Sequence, residues 1–561
     1  MSPETRWNRR DTLSALALVA ASFVLRALFL FGAIDSAWPH STLYEGDALV
    51  WLEWARALRA GQPFEFDLPV RAPGIAFLLS WFGGELVAPF TGLKLLFCGL
   101  SAATVGFFFA GLRARASFAV ATTASTLLAL SFAQYELATS LNNEAPYLAL
   151  ATGALALHVW TGPKRGWGSA VALGALHGLA NLLRTEHVGF VAIVLVFELF
   201  RSRRELGVAV PRALASLAAL VLISLPWTLR AHEAVVRFNE VEPRPIPFVG
   251  TRPTWSPDAQ VALRELPAFA REGMFLMVTD RVGRAGRSSV ERADLERVLD
   301  TEFGYRPEPL AAWTLGSTKA KLDLALSNDL TCDGGFSRAA LSDKFDRDPP
   351  FAFGRPSHLK LYNRGDEVAL ATLREHPSEW FTLAAAKLAR FESGLALGFG
   401  ATNLPHGLGL RRAAVDIAAP AQRSLVWSVT VLGLGALGLV LALRRGVAAE
   451  WGLWLAFKLL VTVAFYGYAR QGATAQPALY LGVACALEFV CARAGNLERW
   501  LWRALLAAAV LVALADLGPW SRPRDLFATP SPGVRFGPVP QAAEGAFGCS
   551  GDITLAPRPP K

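Results

Sequence analysis

Residues 13–33 read LSALALVAASFVLRALFLFGA, an apolar run that starts just after Arg9 and Arg10. A helix needs about 20 apolar residues to cross the hydrocarbon core of a bilayer, which is roughly 30 Å thick. The run contains Arg26 and has no small-residue cleavage site at its end. It therefore predicts a retained membrane anchor rather than a removed signal peptide.

Similar runs follow along the chain and predict an all-α polytopic membrane protein with about 11 transmembrane helices. The composition agrees, because 53% of the 561 residues are hydrophobic and only 18% are charged, whereas soluble domains carry about 25% charged residues. The content of 35 Phe and 17 Trp excludes disorder for most of the chain. The predicted spans lie at about 12–34, 91–112, 116–134, 144–162, 168–184, 186–200, 212–229, 424–443, 451–468, 474–492 and 502–517.

The basic residues fall in alternate turns between these spans. Cytoplasmic turns are enriched in Lys and Arg, so the pattern predicts a cytoplasmic N-terminus and an outer C-terminus, which we expect in a bacterial inner membrane. The predicted cytoplasmic turns hold 16 Lys and Arg against five Asp and Glu, while the whole chain has a net charge of +9. Topology thus accounts for the basic excess, and the sequence does not indicate nucleic-acid binding.

One long segment, 231–377, interrupts the membrane pattern. It holds 20 Lys and Arg against 22 Asp and Glu, with frequent Pro and Gly, and predicts a soluble domain of mixed structure on the outer side. The predicted order is an N-terminal transmembrane module at 1–230, this domain at 231–377, an amphipathic interfacial helix at 378–400, a C-terminal transmembrane module at 401–517 and a Pro- and Gly-rich outer tail at 518–561.

Polar side chains gather in the predicted outer turns. The first outer loop, 35–90, carries Glu45 and Asp47 directly before an amphipathic helix and Arg71 before a Pro-Gly pair. Later outer turns supply three further groups, which are Asn142, Asn143 and Glu144; Arg184, Glu186 and His187; and Tyr468, Arg470 and Gln471. Arginine binds phosphate bidentately, and a carboxylate can deprotonate a hydroxyl. Trp51, Trp54 and Trp81 could hold a lipid chain at the membrane interface.

Each of these residues also has a plainer interpretation. Asp47 and Glu144 could simply cap helices, since an acid is favoured at a helix N-terminus. Arg184 and Arg470 could reach to lipid headgroups, and Arg184 could pair with Glu186. The histidines His158, His177 and His187 more often satisfy local packing than bind a metal. The coincidence of these groups on one face is what indicates an anionic, lipid-like ligand and an acid–base group.

Short motifs follow one another along the chain in a fixed order. They are Glu45-Gly46-Asp47, the A-x-x-L-x-x-G segment at 55–61, Arg71 to Gly74, Glu144, Arg184-Thr185-Glu186, HPSEWFTLAAAKLARF at 376–391, and Tyr468-Ala469-Arg470 with Pro477. This order resembles the GT-C superfamily of integral membrane glycosyltransferases, of the protein O-mannosyltransferase and aminoarabinose transferase type. The doubled proline that is common after the first loop of that superfamily is Ala72-Pro73-Gly74 here, and the late arginine motif is rearranged.

The resemblance implies an inverting transferase that moves a sugar from a polyprenyl-phosphate donor to a hydroxyl of a glycan, lipid or protein acceptor on the outer face of the membrane. Asp47 would be the general base, Glu45 its partner or a metal ligand, and Glu144 a second acid. Arg71, Arg184 and Arg470 would bind the donor phosphate, supported by Asn143, Glu186, Tyr468 and Gln471. No cofactor is certain, and a divalent cation such as Mg²⁺ or Mn²⁺ at Glu45 and Asp47 stays open.

Two other functions remain open from the sequence. A polytopic transporter or lipid flippase is the main alternative, and a non-enzymatic member that serves assembly is the other. A transporter would place polar groups along a path through the bilayer midplane. The sequence offers few charges near span interiors, among them Arg26, Lys94 and Lys458.

Overall fold

The computed structural model of the protein describes most of the chain. The described residues are 7–36, 47–61, 68, 70–82, 91–162, 165–240, 246, 248, 252–302, 304–313, 317–335, 337–342, 351–353, 355–397 and 425–493, with the backbone only for 32–36, 47–50, 82, 302, 425 and 426. Glu45, the predicted span at 502–517 and the predicted tail at 518–561 lie outside these residues.

The first part of the chain is a series of ten helices. In chain order they are α1 (Arg9–Ser36), α2 (Asp47–Arg59), α3 (Gly74–Phe82), α4 (Thr91–Arg113), α5 (Phe118–Leu130), α6 (Phe132–Thr139), α7 (Glu144–Thr161), α8 (Trp167–Leu183), α9 (His187–Arg201) and α10 (Leu206–Glu240).

The chain between α10 and α16, which we call the insert, contains shorter elements. These are β1 (Thr254–Trp255), α11 (Pro257–Arg264), α12 (Ala268–Arg284), β2 (Ser289–Val290), α13 (Arg292–Arg297) with a π-helical turn (Val298–Glu302), α14 (Ala320–Ser327), a 3₁₀ turn (Ala339–Leu341) and α15 (Pro356–Glu375). β1 and β2 pair in parallel, with Thr254 opposite Ser289. The last four helices are α16 (Pro377–Leu395), α17 (Leu425–Arg444), α18 (Ala449–Ala464) and α19 (Ala469–Arg493).

Helices lie over ten of the eleven predicted spans, so the prediction of a polytopic helical membrane protein is confirmed. The predicted count of eleven spans is not confirmed. Five helices of the described chain are long and apolar enough to cross a bilayer: Arg9–Phe31, Thr91–Arg113, Leu206–Glu240, Trp427–Arg444 and Ala469–Arg493. α10 exposes large apolar side chains such as Leu214 and Leu222, as expected of a surface that faces lipid.

The predicted span at 116–134 is two helices in the structure. α5 ends at Leu130, Ser131 has an extended backbone, and α6 begins at the next residue. Arg26 Nη1 donates to the carbonyl of Ala129 (3.2 Å), and the Ser131 hydroxyl donates to Gln476 Oε1 (2.7 Å). Because a helix break inside an apolar bundle needs such polar partners, Arg26 and Gln476 allow the break.

Ion pairs join the helices at one end of the bundle. Arg113 Nε lies 2.7 Å from Asp11 Oδ1, which ties the end of α4 to the start of α1. Arg115 lies 2.6 Å from Glu450 at the start of α18, and Arg165 pairs with Glu198 near the end of α9. We call this the basic end of the bundle. The opposite end, where α10 leads into the insert, is the domain end.

The insert builds an apolar cluster that also takes in residues of the bundle. Tyr305, Leu322 and Tyr362 of the insert pack in one cluster with Val70, which precedes α3, and with Tyr466, which lies between α18 and α19. Such shared burial stabilises both partners, since a fully buried large apolar side chain contributes about 1.5–3 kcal/mol. The insert therefore holds two connecting segments of the bundle in place at the domain end.

α17 and α19 cross at a contact that only glycine allows. A Cβ added to Gly438 would overlap the carbonyl oxygen of Gly482, and one added to Gly482 would overlap the carbonyl oxygen of Gly435. Small residues let two helix backbones approach closely in a membrane, where packing rather than hydrophobicity drives association. This crossing fixes the helix that begins with Ala469 and Arg470.

We expect Gly438→Ala to lower the melting temperature of the detergent-solubilised protein, at a cost of about 1–3 kcal/mol in the free energy of unfolding, because the methyl group overpacks the crossing. Gly433 lies on the same helix, and a Cβ there meets no described atom within 4 Å. Gly433→Ala is therefore the matched control and should keep or raise the melting temperature. Equal melting temperatures for the two variants would contradict the tight crossing.

Candidate active site

Four helix ends meet at the domain end, and each carries a charged residue that the sequence singled out. They are the start of α7 with Glu144, the end of α8 with Arg184, the turn before α9 with Glu186 and the start of α19 with Arg470. Their convergence follows from the alternating direction of the helices, which brings every second turn to the same end of the bundle.

The asparagines before α7 fix the position of Glu144. Asn142 Oδ1 accepts a hydrogen bond from the backbone N–H of Glu144 (3.1 Å), and Asn143 Nδ2 donates to the carbonyl of Leu183 (2.9 Å). These bonds satisfy backbone groups that a helix leaves free at its ends. Asn143 also joins the turn that carries Glu144 to the turn that carries Arg184.

One buried carboxylate is shared by two arginines. Arg184 Nη1 lies 2.6 Å from Glu144 Oε1, and Arg470 Nε lies 3.4 Å from the same oxygen. Arg184 Nε also donates to Glu186. The Glu144 side chain is 0% exposed and each arginine side chain is 11% exposed. Because an unpaired buried charge is costly, the two arginines stabilise the Glu144 carboxylate at this buried position.

Beneath this cluster, a chain of hydrogen bonds leads into the bundle. Lys458 Nζ lies 3.4 Å from the Tyr147 hydroxyl, and that hydroxyl lies 3.1 Å from His187 Nδ1. His187 Nε2 lies 2.9 Å from His177 Nδ1. The Tyr147 ring has the Lys458 ammonium 4.5 Å from its centroid and the Arg184 guanidinium 5.6 Å from it. Lys458 therefore belongs to the neighbourhood of the ionic cluster.

Sequence reasoning missed this position of Lys458, which it took for an isolated charge in a span. An almost wholly apolar helix carries no periodic signal that shows which neighbour its one lysine faces. His187 bonds to Tyr147 through one ring nitrogen and to His177 through the other, as the packing interpretation of the histidines predicts.

The described residues offer no obvious metal site. Within the part of the chain that the structure describes, no group of three or more His, Cys, Asp or Glu side chains is placed to hold a metal ion. The two candidate ligands of Mg²⁺ or Mn²⁺ are not among those side chains, because Glu45 lies outside the described residues and only the backbone of Asp47 is described.

The first loop approaches the ionic cluster through α3. A Cβ added to Gly74 would lie 2.6 Å from Leu183 Cδ2 and 2.8 Å from the carbonyl oxygen of Leu182, so the start of α3 packs against the last turn of α8. Arg71, three residues earlier, is partly buried. α2 begins at Asp47, in agreement with the amphipathic helix that the sequence predicts directly after this residue.

Two of the three first-loop tryptophans do not form the lipid-binding surface that the sequence predicts. Trp51 and Trp54 are buried in the bundle core, where Trp54 packs against Trp227 with ring centroids 5.7 Å apart. Trp81 alone of the three is exposed, at 75%. The amphipathic face of α2 is thus used for packing, and Trp81 is the one of these three tryptophans that lies at the surface.

The two remaining residues that the sequence grouped with Arg470 have different environments. The Tyr468 ring lies 4.7 Å from the Arg470 guanidinium, a distance suited to a cation–π contact. Gln471 Oε1 accepts a hydrogen bond from Thr462 (3.0 Å), which ties α19 to α18.

The fold and the site together define a polytopic helical membrane protein with a buried ionic cluster at one end of its bundle. No family model and no curated protein matches the chain. Among solved structures, the chain is similar to the oligosaccharyltransferase AglB from Archaeoglobus fulgidus in complex with an inhibitory peptide and a dolichol-phosphate, with a TM-score of 0.40 and 12% identity over 91% of this chain and 55% of that chain. The chain thus spans about half the length of that protein.

A second similar structure is ArnT from Cupriavidus metallidurans bound to undecaprenyl phosphate. Its TM-score is 0.31 and its identity 15%, over 84% of this chain and 77% of that chain.

We expect Arg184→Gln to lower the free energy of unfolding by about 3–5 kcal/mol, because the buried Glu144 would lose its nearest cation. The control is Arg445→Gln at the basic end, where Arg445 lies 3.0 Å from Glu488 and is 46% exposed. An exposed pair contributes about 0–1 kcal/mol, so this control should change little. Thermal denaturation in detergent measures both variants, and equal losses would contradict the buried pairing.

Proposed function

We propose that the protein is a membrane glycosyltransferase that moves a sugar from a polyprenyl-phosphate donor to an acceptor hydroxyl. We place the reaction at the domain end of the bundle, which we take to be the outer side of a bacterial inner membrane. The acceptor is a hydroxyl of a glycan, lipid or protein of the cell envelope. The ordered motifs of the sequence and the ionic cluster support this proposal.

The single observation that supports this proposal most strongly is the hydrogen bonding of the Arg184 guanidinium. Its Nε and Nη1 groups are held by Glu186 and Glu144, while its Nη2 group makes no hydrogen bond to any described residue. Two carboxylates therefore orient a planar guanidinium and leave donors available for a ligand. Arginine in such a fixed geometry favours planar anions such as phosphate.

The position of the cluster suits a lipid-linked ligand. It lies at the ends of the helices rather than at their middle, so a phosphate there could stay near the membrane surface while its polyprenyl chain lies against the apolar bundle. The exposed Trp81 on α3 and the apolar surface of α10 are described surfaces on which such a chain could lie.

The proposed chemistry is a single displacement. The Asp47 carboxylate takes the proton of the acceptor hydroxyl as that oxygen attacks the anomeric carbon. The bond between the anomeric carbon and the phosphate oxygen breaks, and the electron pair leaves with the polyprenyl phosphate. Arginine donors stabilise the charge that develops on the leaving phosphate, and the anomeric configuration inverts. Arg184 and Arg470 are the arginines of the described cluster, and Arg71 is the candidate from the first loop.

We expect Asp47→Asn to lower the rate of sugar transfer by about 10²-fold or more, because the amide cannot accept the acceptor proton. The assay follows release of undecaprenyl phosphate from undecaprenyl-phosphate sugars in the presence of an envelope extract as the source of acceptors. Asp366→Asn is the control, since Asp366 lies in an exposed pair with Lys321 in the insert. Wild-type rates in Asp47→Asn would rule out the proposed base.

We expect Arg470→Gln to raise the KM for the donor by about 10-fold or more, because a hydrogen bond to a charged group is worth about 1.5–3 kcal/mol. The same release assay, run over a range of donor concentrations, gives KM and kcat separately. Arg374→Gln changes an exposed arginine at the end of α15 and serves as the control. An unchanged KM in Arg470→Gln would remove this residue from the donor site.

A further inference from the structure

A buried asparagine of the insert makes an unusually complete set of hydrogen bonds. Asn328 follows α14 directly and is 4% exposed. Its Oδ1 accepts from Trp380 Nε1 and from Lys387 Nζ, both at 2.9 Å. Its Nδ2 donates to the carbonyls of Leu324 and Ala464, both at 2.8 Å. Asn328 thus joins the insert, α16 and α18 at one point.

The side chains of Asn328 and Lys387 cap the end of α18. Ala464 is the last residue of that helix, and the preceding carbonyl, of Val463, accepts from Lys387 Nζ at 2.9 Å. The last carbonyls of a helix have no partner within the helix, and a cation beside them is favoured by the helix dipole. Asn328 and Lys387 therefore fix where α18 ends.

The turn after α18 is enclosed by the same elements. The backbone N–H of Gly467 donates to the carbonyl of Gly334 (2.8 Å), and a Cβ on Gly467 would overlap the carbonyl oxygen of Lys387. A Cβ on Gly394 of α16 would likewise overlap the carbonyl oxygen of Ala469. The backbone of residues 466–469 has almost no room to shift between α16 and the insert.

Arg470 follows this turn directly. Its guanidinium lies against the Tyr468 ring, and both Tyr466 and Tyr468 pack with the apolar cluster of the insert. The reach of Arg470 to Glu144, at 3.4 Å, therefore depends on a turn that the insert and α16 hold.

We propose that Asn328 and Lys387 are positioning residues for Arg470, and that the insert takes part in the reaction by fixing this arginine. The inference rests on the proposed function, because it assigns the insert a role at the same site. It also explains α16: Arg390 pairs with Asp333 of the insert, and the carbonyl of Phe391 lies against Gly472 of α19. Lys387, Arg390 and Phe391 together make the joint between the insert and α19.

The test is a double-mutant cycle between Asn328→Ala and Arg470→Gln in the full-length protein. Alone, Asn328→Ala should lower kcat/KM for the undecaprenyl-phosphate sugar about 10-fold or more, since small misplacements of a binding group can cost up to about 100-fold. In the Arg470→Gln background the same change should alter kcat/KM by about 2-fold or less, because the residue that it positions is already gone.

Asn363→Ala is the matched control. Asn363 is also an amide of the insert, and its Nδ2 donates to the Tyr305 hydroxyl (2.7 Å) and the Glu308 carbonyl (3.1 Å), both of which belong to the insert rather than to α16 or α18. The Asn363→Ala variant should lose these hydrogen bonds within the insert but keep the wild-type kcat/KM. Equal losses in Asn328→Ala and Asn363→Ala, or an additive cycle, would overturn the positioning role.

Hydrogen exchange gives a readout that does not depend on transferase activity. Asn328→Ala and Lys387→Met should raise deuterium uptake at residues 465–472, while Asn363→Ala should not. Unchanged uptake there in Asn328→Ala overturns the inference. If uptake rises but Arg470→Gln itself leaves transfer unaffected, the positioning geometry stands and the proposed role of Arg470 in donor binding fails.

Discussion

The arrangement of the helices at the domain end of the bundle depends on the contacts of the buried Glu144 carboxylate with two arginines. This carboxylate accepts from Arg184 and lies near Arg470, and so joins the start of α7, the end of α8 and the start of α19. In an apolar bundle such a charge is stable only while its partners stay in contact. The contacts that hold these helix ends together therefore also bring Arg184 and Arg470 to one carboxylate.

The two ends of the bundle use ion pairs differently. At the basic end, pairs such as Arg113 with Asp11 and Arg115 with Glu450 tie one helix terminus to another. At the domain end, the cluster is continuous with the Tyr147, His187 and Lys458 chain below it, and with the first loop through the contact of Gly74 with Leu183. Ionisable groups gathered in this way within a membrane bundle indicate a functional site rather than simple helix contacts.

Sequence patterns predicted much of this arrangement, and the misses have identifiable causes. Ten of the predicted apolar runs coincide with described helices, and turn order predicted that Glu144, Arg184 and Arg470 lie at one end. The break at Ser131 could not be foreseen, because it depends on Arg26 and Gln476 from distant helices. Lys458 was missed because helix orientation is set by packing partners. The contact between Asn328 and Lys387 could not be predicted either, because it joins two segments that are distant in the sequence and share no local pattern.

The most direct test of the account is a cryo-electron microscopy structure of the protein in nanodiscs with added undecaprenyl phosphate. The account predicts the phosphate at the domain end, within about 3 Å of donors on Arg184 or Arg470, with the lipid chain along the outside of the bundle. A phosphate bound away from both arginines, or a lipid seated in a path through the bundle midplane, would contradict it and favour a transporter.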